Sequence, residues 1–503
     1  MFAGQQFYYG NGFYGGWGHY MSIKQLIKSI VKNSVLGPYV ATLYAQCYPY
    51  IAKVKSFMRS HKVQYVLIRF MVRLKQFSLA HYIYQTIKKF PVIDKKALEA
   101  FYIKLLFDNG FWQQVEIAMA ETDYKILKLV SVREWCTQNN VPIQIMGKIE
   151  DISILNPPTF SGEGYHAGED TPIIIQSFEP YVAELSDVLI ASKSSVIVTK
   201  DGFALNDVAA YQPYSSYVSL EYDKTIRARN GDALLNFNNY PTTIIEEGIF
   251  MSGLASEYFG HWVPEFLIKL KAYEHHPDFL KLPLIVDRKM PQSHFDYLQS
   301  IVKNRLIYLE EGINFECKRL LVAPTATFYP VELTPSHPIP QAEIGALSPE
   351  GLAWLREKVL AAYPCDENSI TSCNQKIYLS RRNMSWRKVT NEAEIAAFVT
   401  AHGYQVVDIE TLSFQDQIKL FRNAESIIAP NGSSLLNLIF ASQTTKLIVL
   451  SQSEIHNWGG YYGPFHTLGY DMVFLLGDKA DVKHADYTIP LFRLEQALNM
   501  MKT

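Results

Sequence analysis

The stretch from Lys376 to Phe440 reads KIYLSRRNMSWRKVTNEAEIAAFVTAHGYQVVDIETLSFQDQIKLFRNAESIIAPNGSSLLNLIF, and the same alternation continues to Leu476. Short apolar runs typical of β-strands occur at 376–380, 404–409, 426–429, 446–450 and 472–476. Segments with a helical spacing of apolar residues lie between them at 391–402, 413–421 and 435–441. Continuous apolar strands that alternate with helices predict a parallel sheet covered on both faces. Ligands of such sheets bind at the carboxyl ends of the strands, beside helix N-termini that suit phosphate.

A basic loop follows the first of these strands. It contains Ser380, Arg381 and Arg382, with Arg387 a few residues further on. The forked guanidinium group of arginine matches phosphate oxygens in a bidentate way, so the loop is a candidate for binding a phosphorylated ligand. For any one arginine, a solvated surface loop that pairs with neighbouring acids is an equally good interpretation.

A glycine turn follows the third strand, in the order Pro430, Asn431, Gly432, Ser433 and Ser434. Glycine allows close approach of the backbone to a ligand, and the hydroxyls can cap a helix or bind. Taken alone, this turn predicts an ordinary helix cap. Because both loops lie at strand ends of one sheet, they can converge on a single pyrophosphate.

The motifs together resemble a known family. They are Tyr378-Leu-Ser-Arg-Arg382, Arg387, Asn391-Glu392, and the segments 412–421, 424–432 and 436–440. Upstream, Tyr258-Phe-Gly-His-Trp-Val-Pro-Glu265 adds a histidine followed four residues later by a carboxylate. Over roughly residues 175 to 480 the chain resembles glycosyltransferase family 61, the DUF563 group, in the bacterial form that builds capsular and exopolysaccharides.

The resemblance implies a fold class and an activity. The expected class is α/β, with a GT-B fold of two Rossmann-like domains and an additional N-terminal α-helical domain. The implied reaction is inverting transfer of a sugar from a nucleotide donor, with a UDP-linked donor expected, to a hydroxyl of a glycan acceptor. Asn437 joins the predicted donor-binding residues on the same ground.

One position departs from the family pattern. The family usually has His-Gly where this chain has Asn431-Gly432. A neutral amide stabilises a departing diphosphate less than a group that can be charged. The departure favours a rival hypothesis, a non-catalytic nucleotide-sugar or glycan-binding protein of the same fold. A nucleotide-sugar hydrolase or epimerase is a further alternative.

Inverting transfer needs a general base for the acceptor hydroxyl and an electrostatic clamp for the leaving diphosphate. His261 and Glu265 lie at i and i+4, so they share a face if a helix begins near Gly260. Pro264 would then fall in the first turn, where proline is tolerated. Glu265 is the predicted base, since the family keeps a carboxylate there, and His261 is its acceptor-side partner. A buried histidine with a solvated glutamate is the structural alternative, and two ligands alone do not make a zinc site.

No metal or cofactor is expected besides the nucleotide-sugar. Transferases of the other major fold hold a divalent cation through Asp-x-Asp, and that motif does not occur in this chain. The charge of the diphosphate would then be balanced by Arg381, Arg382 and helix N-termini.

Composition divides the chain into four predicted regions. Residues 1–21 form a tract of glycine and aromatic residues that is too poor in aliphatic residues to fold. Residues 22–150 are predicted to be a basic helical domain, residues 151–340 the acceptor-side half and residues 341–503 the donor half. Within the third region, 188–190 and 196–199 read as a hairpin, and 284–286, 306–308 and 320–322 read as strands.

Charge is uneven along the chain. From Lys24 to Lys104 there are fifteen Lys and Arg residues and only two acids, Asp94 and Glu99, although the whole chain has a net charge of −2. Basic helices rich in aromatics suit an anionic membrane surface, so peripheral membrane contact through residues 22–105 is one expectation. A homodimerisation or partner-binding module is the alternative. No nucleic acid partner is expected, since no recognised motif is present.

The cysteines bear on location. The chain has five, Cys47, Cys136, Cys317, Cys365 and Cys373, with no Cys-x-x-Cys pair. Their odd number and spacing favour reduced thiols. The N-terminal segment lacks the order of a signal peptide. A cytoplasmic protein, peripheral at the inner face of the cell membrane and acting on a lipid-linked acceptor, is therefore expected.

Overall fold

The computed structural model describes residues 62–88, 94–120, 122–168, 171–210, 214–236, 241–334, 336–340, 345–364, 375–382, 387–452, 458–478 and 485–500. The chain divides into two compact units, Met1–Leu105 and Leu106–Thr503. The predicted glycine and aromatic tract and the first forty residues of the predicted helical domain lie outside the described residues.

The described helices are α1 (Lys62–Arg73), α2 (Phe77–Lys88), α3 (Lys95–Asp108), α4 (Trp112–Met119), α5 (Val132–Gln138), α6 (Phe259–His261), α7 (Lys269–Tyr273), α8 (Gln292–Ile301), α9 (Pro349–Ala362), α10 (Glu392–Ala401), α11 (Phe414–Arg422), α12 (Trp458–Thr467) and α13 (Leu491–Met500). A π-helical turn, Trp262–Leu267, joins α6 to α7. Short 3₁₀ segments are Asp207–Ala210, Ser215–Tyr217, Ile409–Thr411 and Ser433–Phe440.

The described strands are β1 (Tyr124–Val130), β2 (Ile143–Ile145), β3 (Asp151–Ile154), β4 (Thr159–Ser161), β5 (Gly164–His166), β6 (Ile173–Gln176), β7 (Tyr181–Ala191), β8 (Ile197–Val198), β9 (Phe203–Leu205), β10 (Ile226–Arg229), β11 (Asp232–Asn236), β12 (Thr242–Phe250), β13 (Leu284–Asp287), β14 (Leu306–Leu309), β15 (Asn314–Val322), β16 (Gln375–Leu379), β17 (Gln405–Val407), β18 (Ala424–Pro430), β19 (Lys446–Ser451) and β20 (Met472–Leu476). The chain is therefore a mixed α/β protein, as predicted.

The strands form two large sheets, a first sheet of eleven strands and a second sheet of seven. The second sheet has the order β17-β16-β18-β19-β20-β4-β5. All its neighbours pair in parallel except β4 and β5, which form an antiparallel hairpin. Among the five strands from β16 to β20, the order reverses between β16 and β18. Loops diverge at such a switch point, which is where open α/β sheets bind their ligands.

Both faces of the second sheet are buried, which explains the continuous apolar runs. On β18, Ile427 packs into one apolar cluster, and Ile428, the next residue, packs into another. On β19, Leu447 and Ile448 divide in the same way. Successive side chains of a strand point to opposite faces, so neither face can be polar when helices cover both.

The first sheet is larger and mixed. Its order is β10-β11-β1-β9-β8-β7-β15-β12-β13-β14, with β2 added beside β7. The strands β12, β13, β14 and β15 pair in parallel, whereas β7 is antiparallel to β15 and to β8. The predicted hairpin is present, since Leu189 on β7 pairs with Val198 on β8.

Among the described residues, the helical pattern predicted for residues 22–150 is uninterrupted only from α1 to α4, and α5 then lies between two strands. Beyond α4, β1 and β2 belong to the first sheet, where β1 pairs with β11 and β2 with β7. The hairpin of β4 and β5 extends the second sheet, although its residues precede most of the first sheet in sequence. The strands that pair with β1, β2 and β4, namely β11, β7 and β20, lie far from them in sequence. The local sequence pattern therefore did not indicate these pairings.

The N-terminal unit contains α1, α2 and most of α3. Ile68 and Val72, four residues apart on α1, are fully buried. The rings of Tyr84 and Tyr102 stack with centroids 4.6 Å apart, and Lys88 pairs with Glu99 at 3.1 Å. In the described part of the chain, no helix has the length and apolar character needed to cross a bilayer.

Candidate active site

The loops after β16 and β18 are tied together at the switch point. Glu392, in the first turn of α10, accepts hydrogen bonds through Oε1 from the Ser380 hydroxyl at 2.6 Å and from the backbone N–H of Arg381 at 3.0 Å. The Arg381 guanidinium then donates through Nη1 to the carbonyl oxygen of Asn431 at 2.7 Å. One arginine thereby links the basic loop to the glycine turn.

The contact between the Arg381 guanidinium and the Asn431 carbonyl requires glycine at position 432. The backbone of Gly432 is extended, with φ of 176°, so glycine is not needed for conformational reasons. A Cβ at this position, however, would overlap Nη1 of Arg381. The absence of a side chain therefore permits the close approach of the guanidinium to the turn.

Two arginines are enclosed at this edge. Burial, followed by the like charge of Arg387, lowers the pKa of Arg381. Burial also lowers the pKa of Arg387, whose φ of 53° lies in the left-handed region that non-glycine residues rarely adopt. Nε of Arg381 is buried and has no hydrogen-bond partner among the described residues. An anion would offset the repulsion of the two cations and accept from that nitrogen.

The other predicted donor-side residues differ in placement. Arg382 is exposed, and its backbone N–H donates to Ser380 Oγ at 3.4 Å. Ser433 is exposed and Ser434 half-buried at the start of the 3₁₀ segment. Asn437 is 2% exposed and donates to Gln417 Oε1 on α11 at 3.0 Å, so its amide serves packing between two helical segments.

Asn431 is buried beneath the turn. Its backbone N–H donates to the carbonyl oxygen of Leu450 at 2.8 Å, and its Nδ2 lies 3.5 Å from Ser451 Oγ. Its Oδ1 is buried with no partner in the described part of the chain. The amide thus keeps one unused acceptor, which a charged imidazolium could not supply.

The first half contributes the His261–Glu265 pair. A helix begins at Phe259, and His261 Nδ1 is hydrogen bonded to Glu265 Oε1, so the two side chains do share a face. Pro264 lies early in the π-helical turn. π-Helical turns are uncommon and occur frequently at functional sites.

Burial by itself would lower the pKa of His261. The charge of Glu265 and its hydrogen bond, with a smaller effect of Glu332, outweigh burial and raise that pKa above its ordinary value. The His261 ring also meets the edge of the Tyr329 ring, with centroids 4.6 Å apart at 88°. The imidazole is therefore fixed on both sides.

A buried carboxylate organises the loop that leads to His261. Asp287, at the end of β13, is fully buried. It accepts from the hydroxyls of Ser252 (2.8 Å), Ser256 (2.6 Å) and Ser192 (2.8 Å), and from the backbone N–H groups of Gly253 (3.3 Å) and Lys193 (2.8 Å). Because its acceptor capacity is so fully used, Asp287 fixes the loops after β7 and β12 together.

The two motifs meet in space. Gly260, just before His261, lies against Ser433, and a Cβ on Gly260 would fall 3.1 Å from the Cβ of Ser433. The predicted acid–base pair and the predicted anion site therefore adjoin at the junction of the two sheets.

Three residues near the pair were not predicted: Lys269, Tyr329 and Glu332. Glu332 falls in the proline-rich segment from Pro330 to Pro349, and Tyr329 immediately precedes that segment. The available signal was a single acid within the apolar run Phe328-Tyr-Pro-Val-Glu-Leu333, which favours burial of that carboxyl.

No set of three or more His, Cys, Asp or Glu side chains in the described ranges is arranged to hold a metal ion. A separate cleft of about 660 Å³ lies beside α5 and includes Arg133, Thr137, Tyr181 and Asp207 among its lining residues. None of the predicted site residues lines it. Cys136 and Cys317 are buried thiols.

The site combines an enclosed pair of cations at a switch point with an adjacent histidine–carboxylate pair. That combination suits an enzyme that transfers a group from a phosphorylated donor. Residues 259–448 match the family model described as Glycosyltransferase 61, a span of less than half of the 503-residue chain. The match supports the resemblance seen in the motifs, and with it a glycosyltransferase activity in general. No curated protein matches the chain.

Proposed function

We propose that this protein is an inverting glycosyltransferase that moves a sugar from a nucleotide-sugar, UDP-linked in the simplest case, to a hydroxyl of a glycan acceptor. The two sheets would be the Rossmann-like halves of a GT-B arrangement. The observation that carries the proposal is the contact of Gly260 with Ser433, because it brings the His261–Glu265 pair beside the loop that Arg381 holds.

The donor side follows from charge. Arg381 and Arg387 are both largely enclosed, and Nε of Arg381 is directed to no acceptor among the described residues. A diphosphate placed there would be stabilised as it leaves, because fixed cations in a site of low dielectric interact strongly with developing charge. No divalent metal is then needed, and we expect transfer to survive EDTA.

The acceptor side follows from the pair. As the acceptor oxygen bonds to the anomeric carbon, the bond from that carbon to the donor phosphate breaks, and the hydroxyl proton passes to the pair. Glu265 is the base that the motif predicts. Its side chain is 11% exposed, against 18% for His261, and its Oε1 is occupied by the imidazole. These observations favour a division in which His261 meets the acceptor and Glu265 orients and charges it.

Calorimetric binding tests the donor side first. UDP, GDP and CMP, with their sugar conjugates, are titrated into the full-length protein with Mg²⁺ and with EDTA. We expect one nucleotide to bind without metal, and Arg381→Ala to weaken that binding at least tenfold. Arg382→Ala is the matched control, since Arg382 is the exposed neighbour. Equal losses in both variants would contradict the arginine clamp.

Asn431 favours a second candidate, a non-catalytic nucleotide-sugar or glycan-binding protein. A neutral amide, buried under the turn, offers less charge to a leaving group than the histidine usual in the family. Selective binding without turnover of any donor, restored to turnover by Asn431→His, would support this candidate. Product analysis separates transfer from hydrolysis and epimerisation, since only transfer needs an acceptor.

We also propose a peripheral membrane role at the cytoplasmic face, on a lipid-linked acceptor of surface polysaccharide synthesis. Phe70 and Leu74 are 45% and 51% exposed, and the neighbouring Arg69, Arg73 and Lys75 are exposed as well. Apolar and basic side chains on one short stretch suit an anionic bilayer surface. Salt-sensitive binding to anionic vesicles, lost in Phe70→Ser with Leu74→Ser, is expected. If this surface instead forms a homodimer interface, the protein should self-associate as its concentration rises, and the same two substitutions should weaken that self-association.

A further inference from the structure

A group of buried charges lies behind the His261–Glu265 pair. His261, Glu265 and Lys269 follow each other at intervals of four along α6, the π-helical turn and α7. Glu332, from the loop after β15, acts electrostatically on all three. The charge of Asp207 also acts on Lys269.

Glu332 is held in place through its backbone. Its carbonyl oxygen accepts from the N–H groups of Ser219 at 2.8 Å and Leu220 at 3.0 Å. Glu332 is 7% exposed. Tyr329, three residues earlier in the same loop, contacts the His261 ring. The loop therefore brings an aromatic edge to the pair and buries a carboxyl group three residues further on.

The charges in this group depend on one another. Burial, followed by the charge of Glu265, raises the pKa of Glu332 to about 7. Lys269 and His261 oppose that shift, as does a hydrogen bond from the backbone N–H of Glu332 itself. Burial lowers the pKa of Lys269, although the charges of Asp207, Glu265 and Glu332 act to raise it. Burial, followed by the charges of Tyr329 and Glu265, raises the pKa of Tyr461 on α12.

We propose that Glu332 is a positioning residue that adjusts the basicity of the His261–Glu265 pair. While Glu332 carries a proton, it adds no negative charge to act on the imidazole. When Glu332 releases that proton to solvent, a second negative charge favours protonation of the pair and makes it a stronger base. Lys269 limits the repulsion between the two carboxylates. The catalytic consequence rests on the proposed function, but the electrostatic relationship does not.

The electrostatic relationship is tested first by NMR titration of the histidine rings in the full-length protein. The His261 signal is assigned by its loss in His261→Gln. We expect Glu332→Gln to lower the pKa of His261, since it removes an anion that raises it. Glu310→Gln is the control, because Glu310 has a 41% exposed side chain and pairs with Arg288. An unchanged His261 titration in Glu332→Gln overturns the proposal.

The catalytic consequence is tested by the pH profile of kcat/KM with the best donor. The wild-type rate should rise through pH 7, and Glu332→Gln should flatten that rise, whereas Glu332→Asp should retain it. A full rise in Glu332→Gln overturns the proposal. If that variant does not fold, Lys269→Met replaces it and should move the rise to higher pH, because Lys269 favours the ionised form of Glu332. Absence of transfer with every donor would refute the proposed function, while the NMR result would still stand.

Discussion

Gly260 and Ser433 lie against each other across the two sheets, with only 3.1 Å between an ideal Cβ on Gly260 and the Cβ of Ser433. Gly260 precedes the histidine of the acid–base pair, and Ser433 belongs to the glycine turn at the switch point. Any side chain at position 260 must therefore displace the turn or the helix start.

Gly260→Ala should disturb this contact and lower transfer several-fold, because overpacking costs about 1 kcal/mol or more. The second-site change Ser433→Gly removes the opposing Cβ and should restore activity. Gly147→Ala is the control, since its Cβ would lie at an ordinary 3.5 Å from Pro180. The measurement is a double-mutant cycle on kcat/KM and on urea unfolding. Simple additivity of the two changes would contradict the contact.

Glu265→Gln should destabilise the fold in a pH-dependent way. The pKa of His261 is raised in the folded state, so its ionisation adds stability below the unfolded pKa of about 6.5, and that contribution disappears as pH rises through the folded pKa. Replacing the carboxylate should cost about 1.5–3 kcal/mol at pH 5.5 and less at pH 9. Urea midpoints at the two pH values check this. Equal losses at both would be inconsistent with a charged pair.

Asp287→Asn should destabilise the fold by about 3 kcal/mol or more, because an amide nitrogen would face donors that now meet a carboxylate oxygen. The loop from Ser252 to Ser256 leads directly to the His261 helix, so activity should fall as well. Asp471→Asn is a matched control, since Asp471 has a 95% exposed side chain. Thermal unfolding of the two variants gives the comparison, and similar midpoints would argue against the role of Asp287.

Glu332→Gln should change the pH dependence of stability in the same sense as Glu265→Gln, because each variant removes a contribution to stability that is lost as pH rises. Because the pKa of Glu332 is raised to about 7, the folded state binds a proton that the unfolded state has released above pH 4.5. The wild-type free energy of unfolding should therefore fall by up to about 3 kcal/mol as pH rises from 4.5 to 7. The variant should lack this part of the fall. An identical pH slope in both proteins would place the carboxyl in water.

Local pattern predicted the second sheet well. The strand at Met472–Leu476 and the helix at Phe414–Arg422 agree with the sequence within a residue, and the capping Ser413 accepts from the Asp416 N–H as such a start requires. Strands buried on both faces have a strong apolar signal, and the nine-residue helix Phe414–Arg422 shows the helical period of its apolar residues. The i, i+4 spacing likewise predicted that His261 and Glu265 share a face.

Other features were not predicted because their partners are distant in sequence. β2 and β4 are three residues long and have little pattern of their own, so only pairing with β7 and β20 makes them strands. The position of Glu332 depends on hydrogen bonds to Ser219 and Leu220, more than a hundred residues away. A proline-rich segment gives no sign that its backbone is anchored there.

The sequence by itself determined the alternation of strands and helices, the basic and glycine loops at strand ends, and the spacing of His261 and Glu265, because these depend on residues within one or two turns of each other. Tertiary structure alone decided that Gly260 meets Ser433, that Arg381 bonds to the Asn431 carbonyl, and that Glu332 joins the charged group behind the pair. The physical reason is that burial and pairing energies are sums over distant segments. The periodicity of apolar residues within one segment does not predict which distant segments will pack around the same cavity or share a low-dielectric environment.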